Sequence, residues 1–506
     1  MNAPSFFVAL DLEATSPDPG EAEILELAAQ DSQGRTFHRY LATNKPLSKD
    51  HEAFRITQIP FEEYEREKVP PERALREFLD FLEGRSLLGH NLLRYDLPLL
   101  ERALGEVGLN LPPEAYRALD TLRLAHLVFP IPKDGLAGYR LGDLYHYLTQ
   151  EELEGAHRAA TDVGATWRIL EALSQVQIPP GVAQAWVELG LLEGQLFFPS
   201  GGAETEEVAS QRVKDLLQAP ARVERLHSQG RPMPSLEELL QDRTLLPTRR
   251  PAQEEMLRLV DEALREGKRV FLEAPTGTGK TKGYLYPALG LGERVWIATH
   301  TKVLQAQLLE EQKGLARAGY AVSAALVKSP RDTLCPEALL ELFLDAPKSE
   351  DEELRAAVGV LIHYAALGES DLEALPAYWH FSRGFREARE HVGTNPRRCR
   401  PVCPFFQTCA YQKLLAHRKG AQILVTNQAY LLAHFLREEP LDAPEEEEAE
   451  PKTPPDPHLV VDEAHHLEDV ATEALTWVLN HEELTHKLNR LAHSSRKAVF
   501  LGTAAA

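Results

Sequence analysis

Positive charge is in short supply in this 506-residue chain, where 55 Lys and Arg stand against 77 Asp and Glu for a formal net charge of −22. A protein coated in positive potential is excluded, so any polyanion it holds must sit in a local basic groove or be met through bound cations. Cysteine is scarcer still: 4 in the whole chain rule out a disulfide scaffold. Long apolar runs are missing as well, and no stretch is long enough to cross a bilayer. The first ten residues lack a basic leader, and their apolar run is cut by Asp11, which is not the pattern of a signal peptide. A cytoplasmic protein is the expectation. What remains, 43% hydrophobic and 26% charged, is ordinary globular composition, and the length predicts two to four domains.

Along the chain, residues 5–175 alternate strand-like and helix-like patterns. Phe6–Leu10 and Ile24–Ala29 read as buried strands, Leu75–Leu82 as a helix, and Leu87-Leu88-Gly89 as a short strand entering a loop. Residues 176–245, helical and polar with Pro/Gly breaks, read as a connector. A second α/β pattern opens near Pro247, with strands expected at Arg269–Glu273, Arg294–Thr299, Gln422–Thr426 and His458–Asp462. All four cysteines fall between Cys335 and Cys409, in an insertion over about residues 330–412. The Glu- and Pro-rich residues 437–457 have too little apolar surface for a core and read as a disordered acidic loop.

Three short pieces carry acidic side chains in a chemically useful pattern. Asp11 and Glu13, in Leu10-Asp11-Leu12-Glu13, are two apart on a strand, so both carboxylates point to one face and can share a divalent ion. Asp96 follows Gly89-His90-Asn91-Leu92-Leu93-Arg94-Tyr95 and opens an apolar helix. His157-Arg158-Ala159-Ala160-Thr161-Asp162 leads into another. Each piece alone is also what a strand end or a capped helix would show. In this order and spacing they resemble the DnaQ-like DEDDh exonucleases, over about a third of the chain. That resemblance implies an RNase H-like domain that trims nucleic acid from the 3′ end. The chemistry suits the residue types: two Mg²⁺ or Mn²⁺ roughly 4 Å apart neutralise the phosphodiester, and hard cations prefer carboxylate oxygens. Asp11, Glu13, Asp96 and Asp162 are the expected metal cage, and His157 the base that takes a proton from the attacking water. Glu26 and Asp120 sit where the family often has polar residues and receive no catalytic role.

A second constellation begins at Ala274-Pro275-Thr276-Gly277-Thr278-Gly279-Lys280-Thr281, between an expected strand and a helix. Its glycines let backbone N–H groups close on phosphates, Lys280 reaches the β/γ oxygens and Thr281 can ligate Mg²⁺. In Asp462-Glu463-Ala464-His465, Asp462 would hold the Mg²⁺ of ATP and Glu463 would position a water. Cys335, Cys399, Cys403 and Cys409 offer four thiolates for structural zinc or for an iron–sulfur cluster, and residue chemistry leaves both open. The P-loop, four-cysteine insertion and Asp-Glu-Ala-His, with Arg250-Pro251-x-Gln253, Ala298–Lys302 and Thr426-Asn427-Gln428, resemble the DinG/XPD branch of superfamily 2 helicases. That branch implies a [4Fe–4S] cluster on the cysteines.

The whole pattern predicts an α/β protein: an RNase H-like exonuclease domain (1–175), the connector, and a RecA-like P-loop domain (246–329 and 413–470) carrying a four-cysteine iron–sulfur insertion. Arg383, Arg386, Arg389, Arg397, Arg398 and Arg400 form its one dense basic patch, the expected entry for single-stranded or forked DNA, with RNA also possible. After Asp-Glu-Ala-His only 41 residues remain, too few for the second RecA-like domain such motors use, and residues 471–506 read as the start of a further insertion. The resemblance therefore implies that the C-terminal part of the helicase is missing and that this chain does not unwind DNA. The alternative expectation for the second half is a nucleotide-gated DNA-binding module that does not translocate.

Overall fold

In the computed structural model, the apolar run near the start becomes β1 (Phe7–Ala14), the centre of a five-stranded sheet. It pairs antiparallel with β2 (Ile24–Asp31), which pairs antiparallel with β3 (Thr36–Tyr40). On its other side come β4 (Ser86–Gly89) and β5 (Leu119–Asp120), both parallel, for the order β3-β2-β1-β4-β5. The structure describes residues 6–153, 158–197, 205–223, 225–248, 250–435 and 458–476. Residues 437–457 and 477–506, and so the expected acidic loop and nearly all of the last segment, lie outside the described residues.

Strand parity decides what each face of this sheet holds. Val8, Leu10 and Leu12 enter a core with Leu75, Phe78, Leu97 and Leu100 from helices Pro71–Leu82 and Asp96–Glu106. Phe7 and Ala9 enter the opposite core with Leu124, Val163 and Ile169. Asp11 and Glu13 share the parity of Phe7 and Ala9, so they leave the sheet on the side of helix Ala159–Ser174, which packs on β1 and β2. At Gly89 an added Cβ would lie 2.8 Å from Leu92 Cβ and 3.3 Å from the Leu10 carbonyl. Only glycine lets β4 lie this close to β1 as it turns into the loop before Asp96.

Tertiary contacts group Met1–Val223 with Pro330–Lys413 in one unit, and Glu224–Ser329 with Leu414–Ala506 in a second. The cysteine-bearing segment is helical, with helices Pro336–Asp345, Glu352–Ala366, Ala377–His380 and Arg383–Val392. Glu352–Ala366 is apolar nearly all round, which suits burial on every side; Val358, Leu361 and Ile362 join Leu124, Leu127 and Trp186 in one core. The Trp186 indole donates to the Gly359 carbonyl (3.0 Å), and His363 Nδ1 lies 2.7 Å from the Leu127 carbonyl. Arg123, 4% exposed, meets fully buried Glu193 (2.5 Å) and Glu352 (2.9 Å).

The second unit holds β6 (Leu226–Ser228), β7 (Val295–Thr299), β8 (Val322–Leu326), β9 (Ile423–Asn427) and β10 (His458–Val461) in the order β10-β7-β9-β8-β6. All pairs are parallel except β6 with β8. The strand expected at Arg269–Glu273 is not formed. Val270, Phe271 and Leu272 are 43%, 97% and 40% exposed, and the segment joins no ladder. Three apolar residues in a row suggest a strand by composition, but a strand is held by its ladder and its cover, and both are absent here.

Removing Arg123 leaves Glu193 and Glu352 without their cation, Glu193 with no access to water. Arg123→Ala is expected to lower stability by about 3–5 kcal/mol in urea unfolding. A loss below about 0.5 kcal/mol, the size of a surface substitution, contradicts this.

Candidate active sites: a carboxylate cluster and a nucleotide loop

Asp11 and Glu13 on β1 meet Asp162, in the first turn of helix Ala159–Ser174, with one ligand oxygen of each within 4.8 Å of the others. Among the described residues this is the one group of three His, Cys, Asp or Glu side chains so disposed. Asp96 sits beside it rather than in it. Its carboxylate is 4% exposed and accepts the Leu12 N–H at 3.0 Å, on the backbone between Asp11 and Glu13. His157 lies outside the described residues.

Electrostatics follows from this crowding. Burial, then Asp96, Asp162, Glu13 and Glu26, hold the Asp11 carboxyl well above the usual carboxylate range. Burial, then Asp162, Glu26 and Asp96, push Glu13 up to about 8, against a smaller pull from Arg158. Burial pushes Asp96 to about 8 as well, with Asp120 adding to it and the Leu12 N–H opposing. The arrangement is a buried cluster of carboxyl groups facing one side of the sheet.

Two acidic residues given no role by the sequence prove to build the site. Glu26 is fully buried on β2 directly opposite Glu13; its carboxylate contacts His38 Nε2 (2.7 Å) and accepts the Ala159 N–H at 3.4 Å, the start of the helix bearing Asp162. Asp120 accepts the N–H groups of Asn91 (2.9 Å) and Leu93 (3.1 Å) while capping the helix that starts at Thr121. It thereby holds the loop leading to Asp96. The sequence signal was two carboxylates at positions where the resembled family often has polar residues; which backbone groups they hold depends on partners 29 and 133 residues away.

In the second unit, the loop before helix Lys280–Leu291 turns through Gly277 (φ 80°) and Gly279 (φ 85°). Both lie in the region that favours glycine. Arg250 donates to the Gly277 carbonyl (2.7 Å) and Gln253 to that of Gly279 (3.1 Å). Ala274, Pro275 and Thr276 lead into the turn, and Thr278 Oγ1 donates back to the Pro275 carbonyl (2.8 Å). Lys280 pairs with Glu463 at 2.5 Å, which draws the Glu463 carboxyl below its ordinary value. Asp462 accepts the Tyr284 hydroxyl (3.0 Å), and burial raises its carboxyl. Lys280, Thr281, Asp462 and Glu463 are thus brought to one end of the sheet, beside β10.

The cysteines do not converge in the same way, and the expected [4Fe–4S] insertion is not shown. Cys335, Cys399, Cys403 and Cys409 are free thiols, and no three lie within 4.8 Å of one another. Cys335 begins helix Pro336–Asp345, and the Cys399 thiol faces the Asn395 carbonyl at 3.6 Å. They remain within electrostatic reach: burial, then Cys335, Cys409 and Cys403, push the Cys399 thiol up to about 11. Three arginines of the basic patch pair with carboxylates. Arg383 pairs with Asp351 (2.6 Å), Arg389 with Asp332 (2.5 Å) and Arg398 with Glu341 (2.8 Å). No helix among the described residues is long and apolar enough to cross a membrane.

The raised carboxyls make a signed prediction. Protons kept by folded Glu13 and Asp96 up to pH about 8 are released near pH 4 when unfolded. Stability of the metal-free chain should therefore fall as pH rises across that window. Glu13→Gln should flatten this fall and raise the melting midpoint at pH about 8, while losing the midpoint increase that Mg²⁺ or Mn²⁺ gives the unaltered protein. A midpoint insensitive to both pH and metal contradicts it.

Two family models match the chain. The exonuclease family described as RNase_T matches residues 8–170, and the DEAD/DEAH box helicase family matches residues 250–339. A Bacillus subtilis (strain 168) protein named 3′-5′ exonuclease DinG is 26% identical over 96% of this chain and 52% of its own length. Its namesake from Staphylococcus epidermidis is 24% identical over 97% of this chain and 53% of the relative. The chain thus spans about half the length of the curated relatives it matches. A solved structure of E. coli exonuclease I in complex with a dT13 oligonucleotide is 22% identical, covers 33% of this chain and 40% of that one, and has a TM-score of 0.28. The resemblance read from the motifs is borne out: the chain carries an exonuclease domain followed by a DEAD/DEAH box helicase domain, and along most of its length it is similar to proteins named 3′-5′ exonuclease DinG.

Proposed function

We propose that this chain is a divalent-metal-dependent 3′→5′ exonuclease of single-stranded DNA ends, joined to an ATP-dependent DNA helicase segment of the DinG type and working in DNA repair or replication in the cytoplasm. The observation that carries the nuclease reading is the approach of Asp11, Glu13 and Asp162 to within 4.8 Å. Carboxylate oxygens are the ligands hard divalent cations prefer. The fit is electrostatic too, since burial and mutual repulsion disfavour the ionised forms of Asp11 and Glu13 until a cation offsets them. Asp11, Glu13, Asp96 and Asp162 would hold two Mg²⁺ or Mn²⁺. Such ions, when bound, neutralise the phosphodiester and make water a better nucleophile. His157, five residues before Asp162, is assigned the proton. The 3′→5′ direction is supported by the DEDDh resemblance and the relatives' name, and the DNA substrate by the resemblance of the second half to the DinG/XPD helicases.

In the second half, the 274–279 loop, Lys280 and Thr281 would take the phosphates of ATP, Asp462 its Mg²⁺, and Glu463 a water. Because Lys280 already pairs with Glu463, an incoming phosphate competes with that carboxylate. This favours, as a second reading, a nucleotide-gated DNA-binding module that does not translocate. The [4Fe–4S] proposal for Cys335, Cys399, Cys403 and Cys409 rests on the sequence pattern and on the mutual influence of the thiols. Stoichiometric zinc without iron in anaerobically prepared protein overturns it.

With Mg²⁺ or Mn²⁺ and no ATP, the protein is expected to shorten a 5′-labelled single-stranded DNA from its 3′ end. Asp11→Ala and Asp162→Ala should abolish this, and His157→Ala should slow it by about 10²–10⁴ while retaining metal binding. Undiminished activity in Asp162→Ala would sink the assignment.

A further inference from the structure

The loop that delivers Asp96 is held from two sides. Asp120 holds its start through the Asn91 and Leu93 N–H groups. Near its end Arg94, two residues before Asp96, reaches a residue 284 positions further along the chain, in the cysteine-bearing segment. Its Nη2 donates to the Tyr378 carbonyl at 3.3 Å, and its guanidinium carbon lies 4.0 Å from the centre of the Tyr378 ring. The far face of that ring stacks on His126 (centroids 4.3 Å apart, planes 16° from parallel), and His126 stacks in turn on Tyr139 (3.8 Å, 24°). Burial, with Arg94 and His90 beside it, pushes His126 down to about 3. Its ring is neutral at working pH, so Arg94 is the one cation in the pile.

The pile closes on the same loop. The Tyr139 carbonyl lies 3.1 Å from His90 Nε2, and His90 Nδ1 lies 2.9 Å from Thr121 Oγ1, which itself donates to the Gly89 carbonyl (3.1 Å). Arg94, Tyr378, His126, Tyr139 and His90 thus form a closed circuit around the turn whose last residue is Asp96. Tyr378 is the one member from outside the exonuclease domain. It is fixed there by the neighbouring core, where Trp379 and Phe385 are buried with Leu127 and Trp186.

We propose that Tyr378 is a positioning residue for the nuclease: the cysteine-bearing segment, through the Tyr378 ring under Arg94, sets where the Asn91–Asp96 loop places Asp96 against β1. The inference rests on the exonuclease reading given above. An arginine held over an aromatic face loses much of its rotational freedom and fixes the backbone that carries it. Asp96 has little slack of its own, because its Oδ1 accepts from Leu12 between two other carboxylates. A loop released at Arg94 shifts that contact and the metal cage together. The segment therefore acts on the nuclease as well as adjoining it.

The test uses the full 506-residue chain in four forms: unaltered, Tyr378→Ala, Tyr378→Phe, and Val358→Ala, the last a buried position on helix Glu352–Ala366 in the same core. Mn²⁺ affinity by calorimetry, kcat and KM on a single-stranded oligonucleotide, and the melting midpoint are measured on each. Tyr378→Ala should weaken Mn²⁺ binding and lower kcat by roughly 10-fold or more, as loss of a ligand's supporting contacts does, with KM little changed. Tyr378→Phe, which keeps the ring, should behave as the unaltered protein, and Val358→Ala should lose melting temperature while keeping Mn²⁺ affinity and kcat. If Tyr378→Ala keeps the unaltered Mn²⁺ affinity and kcat, or Val358→Ala loses them equally, Tyr378 is packing only and the proposal fails. Unaltered protein that binds Mn²⁺ without cutting DNA defeats the exonuclease reading alone, and the affinity series still decides on Tyr378. Unaltered protein that binds no Mn²⁺ overturns both.

Discussion

Like charges packed out of water are the constraint from which the first half of this protein follows. Burial, and then the carboxylates of Asp96, Asp162 and Glu26 around them, raise the affinity of Asp11 and Glu13 for protons. A fold does not hold such a group together for its own stability, because crowding carboxylates out of water is costly. The surrounding structure is arranged to tolerate the strain. Strand pairing fixes Asp11 and Glu13, Asp120 and the Gly89 close approach fix the loop before Asp96, and Glu26 ties the Asp162 helix to β2. A divalent cation is the partner that turns this repulsion into binding.

The cysteine-bearing segment belongs to that same unit. Its helix Glu352–Ala366 shares a core with Leu124, Leu127 and Trp186, the buried Arg123 joins carboxylates from two separate stretches, and Arg94 reaches Tyr378. The interruption of the helicase motifs by an insertion thus has a structural counterpart: the inserted residues complete the core of the nuclease. Within the other unit, Lys280 pairs with Glu463, each charge satisfying the other beside the glycine-rich loop.

Much of this was legible in the sequence where a motif is local. Asp-x-Glu on a strand fixes its own geometry through parity, and the Gly-x-Gly-Lys-Thr turn fixes its own φ angles. Strands β1, β2, β4, β7, β9 and β10 follow apolar runs that announce themselves. β5 does not, because two residues in a ladder leave no pattern, and neither does the non-strand at 269–273, whose composition suits a ladder it never joins. The partners of the basic patch stayed hidden for a different reason. Six arginines are visible in the sequence, but the carboxylates that neutralise Arg389 and Arg398 lie 57 residues away. Tyr378 was invisible too, since nothing around it resembles a motif and its partner is 284 residues distant.

The central claim is that the buried carboxylates exist to hold paired divalent ions, and the most direct test is to count the ions. Electron paramagnetic resonance of the protein titrated with Mn²⁺ should reveal two ions per chain with the spin coupling expected of close neighbours, and Asp11→Asn should remove the coupled signal. Unaltered protein that shows no coupled Mn²⁺ pair, or an Asp11→Asn variant that binds Mn²⁺ as the unaltered protein does, would contradict the account.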